Sequence, residues 1–348
     1  MTTSLSISAN RPQDAEPPRE SGAIRFWAAL GIGAVVLAVS SYGRWTFSED
    51  FSAPPTGPDN YEYLWALRAV EVISVAFVLG FLWFCLLRPL IRDRELTFDG
   101  KLLLGLILAY VVDPTFNSFN HSFAMNAYSV NLGSWGDQIP FFPAPGQGQL
   151  AEALLWAMPL YVYCGIAAAM LGCSALNRMR QRFPAASTVA LYAALYLGFV
   201  VGDFIFEFTL FVLPQLYVFP GVKGDLSLFA GELHQFPIYH SIFAGWFAIA
   251  ITWLRDSRDG SGRSSIERGA EAITGRARTA ISFLAITGYA TVAAFLGYFL
   301  PFSYASMGAD TYTDLPSYLS SAAFCGDEGK PDCPSEYLNQ LRIRAEED

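Results

Sequence analysis

The chain has 348 residues, of which 53% are hydrophobic and only 15% charged, and its mean hydropathy is +0.32. Water-soluble domains carry about 25% charged residues, so this composition excludes an ordinary soluble fold. A net charge of −9 excludes a nucleic-acid partner, whose phosphates call for a basic surface.

Residues 1–22, rich in Pro and Ser and mixed in charge, read as a disordered tail rather than a signal peptide. A helix needs roughly 20 apolar residues to cross the hydrocarbon core. Seven stretches qualify, at about 24–42, 63–87, 102–119, 151–175, 187–212, 233–254 and 279–300. The fifth runs on toward Pro214, where a tilt or break is expected. The fold class predicted is therefore all-α, a polytopic seven-helix membrane bundle over residues 23–302, with an external tail over 303–348.

Lys and Arg in the connecting loops alternate along the chain. Arg88, Arg92, Arg94 and Lys101 follow the second stretch, Arg178, Arg180 and Arg182 the fourth, and six arginines between 255 and 278 the sixth. The intervening loops hold only Arg44 and Lys223, and residues 120–150 hold neither Lys nor Arg. The positive-inside rule then places the N-terminus inside and the C-terminus outside, in a multi-pass protein of a bacterial cytoplasmic membrane. Cys85, Cys164 and Cys173 fall in apolar stretches and read as small buried hydrophobes. Cys325 and Cys333 flank a polar segment of the outer tail, where an oxidising compartment favours a disulfide.

Ionisable residues inside a bilayer are costly, and by default they mark a site or a buried pair. Here they cluster near the outer ends of the stretches: Arg68 and Glu71, Asp113 and Asn117, His121, Glu152, Asp203 and Glu207, and Glu232, His234 and His240. This level suggests a polar pocket beneath the cation-free loop. Arg68 and Glu71, three apart on one helix face, read as an ion pair that is structural or binds substrate. Glu152 and Glu232 suit either helix N-termini or catalysis. Asp203 and Glu207 share a face four residues apart; two such carboxylates repel, so one keeps a proton, as general acid–base chemistry requires. His121 and His240 serve either as hydrogen-bonded structural residues or as proton carriers.

Other chemistries fit less well. The last helix has no Lys for retinal, three histidines are too few for a di-iron desaturase, and no DDxxD-like run binds a diphosphate through magnesium. A hydrophobic small molecule and the lipid bilayer are the partners expected, with no metal and no cofactor.

The strings DPTFNSFNHSFAMNAYSVNLGSW (113–135) and FPGVKGDLSLFAGELHQFPIYHSI (219–242) resemble the AveC-type spirocyclase family of bacterial membrane proteins. The resemblance runs from about the second helix to the seventh. It highlights Asp113, Asn117, Asn126, Tyr128, Asn131, Trp135, Gln235 and Tyr239. The family's QFPIY block continues with an acid where this chain has His240. The resemblance implies closure of a dihydroxyketone polyketide into a spiroketal, in some cases with dehydration, without a cofactor. The catalytic set expected is Asp113, His121, Asp203, Glu207, Glu232 and His240. Arg68, Glu71, Asn117, Asn126, Tyr128, Asn131, Trp135, Gln235 and Tyr239 are expected around the substrate. Two other readings use the same parts: an isoprenoid cyclase with a protonating carboxylic acid, and a non-catalytic lipid-binding or transport protein.

Overall fold

A computed structural model of the chain describes residues 22–119, 121–140, 148 and 150–320. Most of tail 1–22 and both Cys325 and Cys333 lie outside the described residues. Among the described residues, seven helical rods carry the fold: α1 Gly22–Thr46, α2 Leu64–Arg92, α3 Phe98–Ala109, α4 Ala157–Arg182, α5 Thr188–Val212, α6 Ile238–Asp256 and α7 Gly275–Ser306. Five of them, α1, α2, α4, α5 and α7, are long and apolar enough to cross a membrane. The chain is a mostly helical membrane protein.

The third apolar stretch does not form one regular helix. Thr97 caps α3, its hydroxyl accepting the Gly100 N–H at 3.2 Å, and the α-helix lasts 12 residues. It then tightens into a 3-10 helix over Tyr110–Asn117, which contains Pro114. Proline has no N–H to continue the ladder, so the tighter winding is the local solution. Both segments are buried almost throughout, at the centre of the bundle.

Proline also explains three wide turns. Four rods contain π-helical segments: Leu82–Leu87 in α2, Tyr161–Ala167 in α4, Phe208–Val212 ending α5, and Phe295–Phe299 in α7. Pro89, Pro214 and Pro301 each follow such a segment by two residues. A proline ring clashes with the carbonyl four residues back and gives it no hydrogen bond, so the preceding turn widens. In α2 the carbonyl concerned is that of Cys85, and it accepts the Thr97 hydroxyl instead, at 3.2 Å. The break expected near Pro214 is thus a π turn that ends the helix. The π turn in α4 has no proline behind it.

The rods are held together differently at their two ends. At the basic end, Lys101 pairs with buried Glu267 at 2.5 Å, Arg255 with Asp99 at 3.0 Å, and Arg180 with Asp256 at 2.6 Å. Along the bundle, Gly31 and Gly288 let α1 and α7 cross at backbone contact; a Cβ on Gly31 would collide with the Leu284 carbonyl, and one on Gly288 with that of Trp27. At the opposite end a cap of irregular chain covers the helices. It contains three two-stranded antiparallel ladders: β1 Ala124–Met125 with β2 Tyr217–Val218, β3 Gly221–Val222 with β6 Thr311–Tyr312, and β4 Ser227–Leu228 with β5 Phe236–Pro237. α7 runs four residues past the expected boundary at 302, and the chain after it joins the cap. There the Ser317 N–H bonds the Asp59 carboxylate at 2.7 Å, holding Asp59 below the usual carboxylate range.

Candidate active site

Beneath the cap lies a cavity of about 540 Å³, within the range of small-molecule sites. Its wall is overwhelmingly apolar and aromatic, with Phe116, Phe123, Trp156, Phe206, Phe211 and Phe299 among the lining residues. Into it project Asp113 from the 3-10 segment, Tyr161 and Cys164 from α4, Asp203 and Glu207 from α5, Tyr298 from α7 and Tyr217 from the cap. Three π segments therefore supply polar or aromatic wall residues, consistent with the frequent placement of π turns at functional sites.

The acids form two groups. Tyr161 donates its hydroxyl proton to Asp113 Oδ1 at 2.7 Å. Close by, the Tyr110 hydroxyl is shared between Glu152 Oε1 and the Ala153 carbonyl, each at 3.0 Å. A cleft of about 10 Å³, lined by Asp113, Asn117, Ser134 and Glu152, lies behind this pair and is close to the room one water occupies. In the second group, Glu207 accepts a very short hydrogen bond from Tyr217 and lies 2.8 Å from His240 Nε2. Tyr298 places its hydroxyl 3.2 Å from the same imidazole nitrogen. Asp203 sits beside them with one buried oxygen, Oδ2, that has no partner among the described residues. No Lys or Arg approaches either group within ion-pair distance among the described residues.

The donor atoms of Asp203, Glu207 and His240 lie within 4.8 Å of one another, close enough to hold a divalent cation. The sequence reading expected no metal here. Glu207 and His240 are joined by a hydrogen bond and Asp203 lies close beside them, an arrangement of two acids and an imidazole that is able to hold and pass a proton.

Several residues expected in the site do other work. Arg68 and buried Glu71 form their ion pair at 2.5 Å, but it clamps the cap: Glu71 accepts the Val130 N–H at 2.7 Å and Arg68 bonds the Tyr128 carbonyl at 3.0 Å. The amides of the family strings point at backbone. Asn117 accepts from Ser122 and Phe123 and donates to the Phe123 carbonyl. Asn126 donates to the Gln215 carbonyl, Asn131 to those of Ala127 and Ser129, and Gln235 to those of Phe219 and Pro220. Trp135 is fully buried and donates to the Val111 carbonyl at 2.7 Å. Tyr128 stacks on Tyr61 at 5.5 Å, and Tyr239 is buried against Phe302. Glu232 is exposed on the cap, away from the cavity. His121 is buried outside the cavity, and neither ring nitrogen has a partner among the described residues. Burial pushes its pKa down to about 4.

Tyr161, Tyr217 and Tyr298 were not among the expected site residues. The signal that finds them is chemical: a phenol hydroxyl buried among apolar helices needs a hydrogen-bond partner, and here the partners are the site's acids and imidazole.

No curated protein and no solved structure matches the chain. Residues 93–318 match the family described as Spirocyclase AveC-like, a segment that begins just before α3 and ends in the cap. It contains Asp113, Tyr161, Asp203, Glu207, Tyr217, His240 and Tyr298, the acids, phenols and imidazole at and beside the cavity described above. By that match over most of its length, the chain belongs to the spirocyclase AveC-like family.

Proposed function

We propose that this protein is an integral-membrane cyclase that closes a hydroxylated ketone chain into a spiroketal by acid–base catalysis without a cofactor. The observation that carries the reading is the placement of Asp113 across one aromatic cavity from the α5 pair Asp203 and Glu207, with tyrosines and a histidine as partners in place of cations. A first hydroxyl adds to the ketone to form a hemiketal. The hemiketal oxygen then takes a proton and leaves as water, and the second hydroxyl adds to the resulting oxocarbenium carbon and loses its proton. The balance is one dihydroxyketone giving one spiroketal and one water, with no change of oxidation state.

In this mechanism Asp203 holds the proton that Glu207, one turn away, cannot share as a second negative charge. It delivers that proton to the departing oxygen through its unpartnered Oδ2. Asp113, oriented by Tyr161, removes the proton of the attacking hydroxyl. The water-sized cleft beside Asp113 and Glu152 gives the released water a polar place to go. The apolar wall fixes one folded conformer of the chain, so positioning sets the stereochemistry. The membrane frame is that of seven crossings with the N-terminus cytoplasmic and the cap outside, in a bacterial cell membrane, as the alternation of Lys and Arg favours.

The test is turnover of a synthetic dihydroxyketone by purified protein in detergent, read as loss of one water by mass. Conversion exceeding the molar amount of protein supports the reading; retention of unchanged substrate at one equivalent supports a binding protein instead. The aromatic wall favours one second reading, an isoprenoid cyclisation in which the same acid protonates an alkene and ring faces stabilise the cation. A polyene with no hydroxyl, tested in parallel, separates the two.

A further inference from the structure

The wall of the cavity is not closed on all sides. Ile73 and Phe77 of α2 line it and are also 56% and 53% exposed; Leu171 of α4 and Leu210 of α5 line it and are 70% and 46% exposed. A residue that both lines a cavity and faces outward lies at its mouth. These four belong to the middle and outer reaches of helices long and apolar enough to span a membrane, so the mouth opens sideways. Toward the cap, the cavity ends on Phe123, Met125, Trp156 and Tyr217, none more than 7% exposed.

Tyr163, from the π segment of α4, reaches both α2 and α5 across the gap between them. Its ring meets Phe77 edge-on at 6.5 Å and Phe206 edge-on at 5.9 Å, and its hydroxyl lies 3.5 Å from Ser74 Oγ. Aromatic edges and one long hydrogen bond are weak restraints. Gly202, on the α5 lip, adds free width: a Cβ there would meet nothing within 4 Å.

We infer that the cavity loads laterally from the bilayer, through the gap between α2 and α5, with Tyr163 as its gate. Resting on the proposed cyclase reading, this assigns the substrate class: an amphiphile dissolved in the membrane, its long apolar chain entering between the helices and its oxygenated segment reaching Asp203, Glu207 and Asp113. A substrate delivered from water would find the aromatic floor of the cap in its way.

The test needs no turnover, so it can fail independently of the cyclase reading. The full chain is reconstituted in phosphatidylcholine vesicles containing a hexadecanol with a diazirine in its chain, illuminated, and mapped by peptide mass spectrometry. Adducts are expected inside the cavity, at Cys164 and Glu207, as well as on lipid-facing Val72. Gly202→Trp should plug the mouth and lower the Cys164 and Glu207 adducts at least ten-fold, leaving Val72 unchanged; Gly202→Ala should label like the wild type. Ile73→Trp, on the opposite lip, gives a second plug if the first disturbs folding. A sulfonated, water-confined diazirine should leave Cys164 unlabelled. Cavity labelling by that aqueous probe, lipid-probe adducts undiminished in both plugged variants, or none at Cys164 and Glu207 in the wild type would each overturn lateral entry.

Discussion

The two ends of the bundle treat their acids in opposite ways. At the basic end Asp99, Asp256 and Glu267 each face an Arg or Lys within 3.0 Å. Around the cavity Asp113 and Glu207 face phenols and an imidazole, and one oxygen of Asp203 faces no partner among the described residues. An acid locked to a cation keeps its charge and fixes two helices together. An acid held only by neutral donors can still gain and lose a proton. The comparison separates carboxylates that hold the fold from carboxylates left free to exchange a proton, as the proposed mechanism requires, although burial alone does not distinguish them.

The sharpest way to break this division is to neutralise the cavity acids. Asp203→Asn, Glu207→Gln and Asp113→Asn keep shape and remove the titratable proton. Product formation should fall on the order of 10²–10⁴-fold in at least one of them, with thermal stability unchanged within about 1 kcal/mol. Three variants cyclising at wild-type rates would end the carboxylate mechanism. At the basic end the effect should invert. Lys101→Met strands buried Glu267 and should cost about 3–5 kcal/mol, seen as a lowered melting temperature in detergent, and Lys101→Met with Glu267→Leu should recover most of it.

A third variant probes the cap. Glu71→Gln weakens the clamp on Val130 and should cost about 1–3 kcal/mol, raising protease sensitivity of the loop around 128–131 before it changes turnover.

His121 predicts a pH effect of similar size. Its folded pKa of about 4 lies below the ordinary value of 6.5, so the fold excludes the protonated form. The penalty is absent above pH 6.5 and grows as pH falls toward 4, reaching on the order of 3 kcal/mol. His121→Leu should flatten melting temperature across that window; an unchanged slope would place the acid lability elsewhere. The smallest expected effect is that of a chelator, which should leave the cyclisation rate unaltered. A rate restored only by added divalent cation would instead make Asp203, Glu207 and His240 metal ligands.

Much of the arrangement was legible in the sequence. Hydropathy located the rods, and the gathering of Asp113, Asp203, Glu207 and His240 at one level followed from counting residues along helices. What the sequence could not reveal was direction. Asn117, Asn126, Asn131 and Gln235 looked like ligand contacts because amides suit both tasks, yet their partners are backbone groups of the cap, and only the chain's path decides which task an amide performs. The Arg68–Glu71 pair on α2 was ambiguous for the same reason: the two share a helix face, but the loop they clamp is about 60 residues away in sequence. The π turns were missed because hydropathy periodicity does not register a single wide turn, although Pro89, Pro214 and Pro301 marked three of them.

Those wide turns give a bundle of this kind a way to reshape its cavity without rebuilding its anchored end. A π turn is one extra residue accommodated within a helix, and each residue turns the helix face by about 100°. In α4 and α7 the segments on either side of the wide turn can keep separate registers, one toward the basic end and one facing the cavity. Gaining or losing a single residue there would rotate the wall of the cavity while Lys101, Asp99 and Asp256 keep their partners. The shape of the chamber and the anchoring of the bundle would then vary independently.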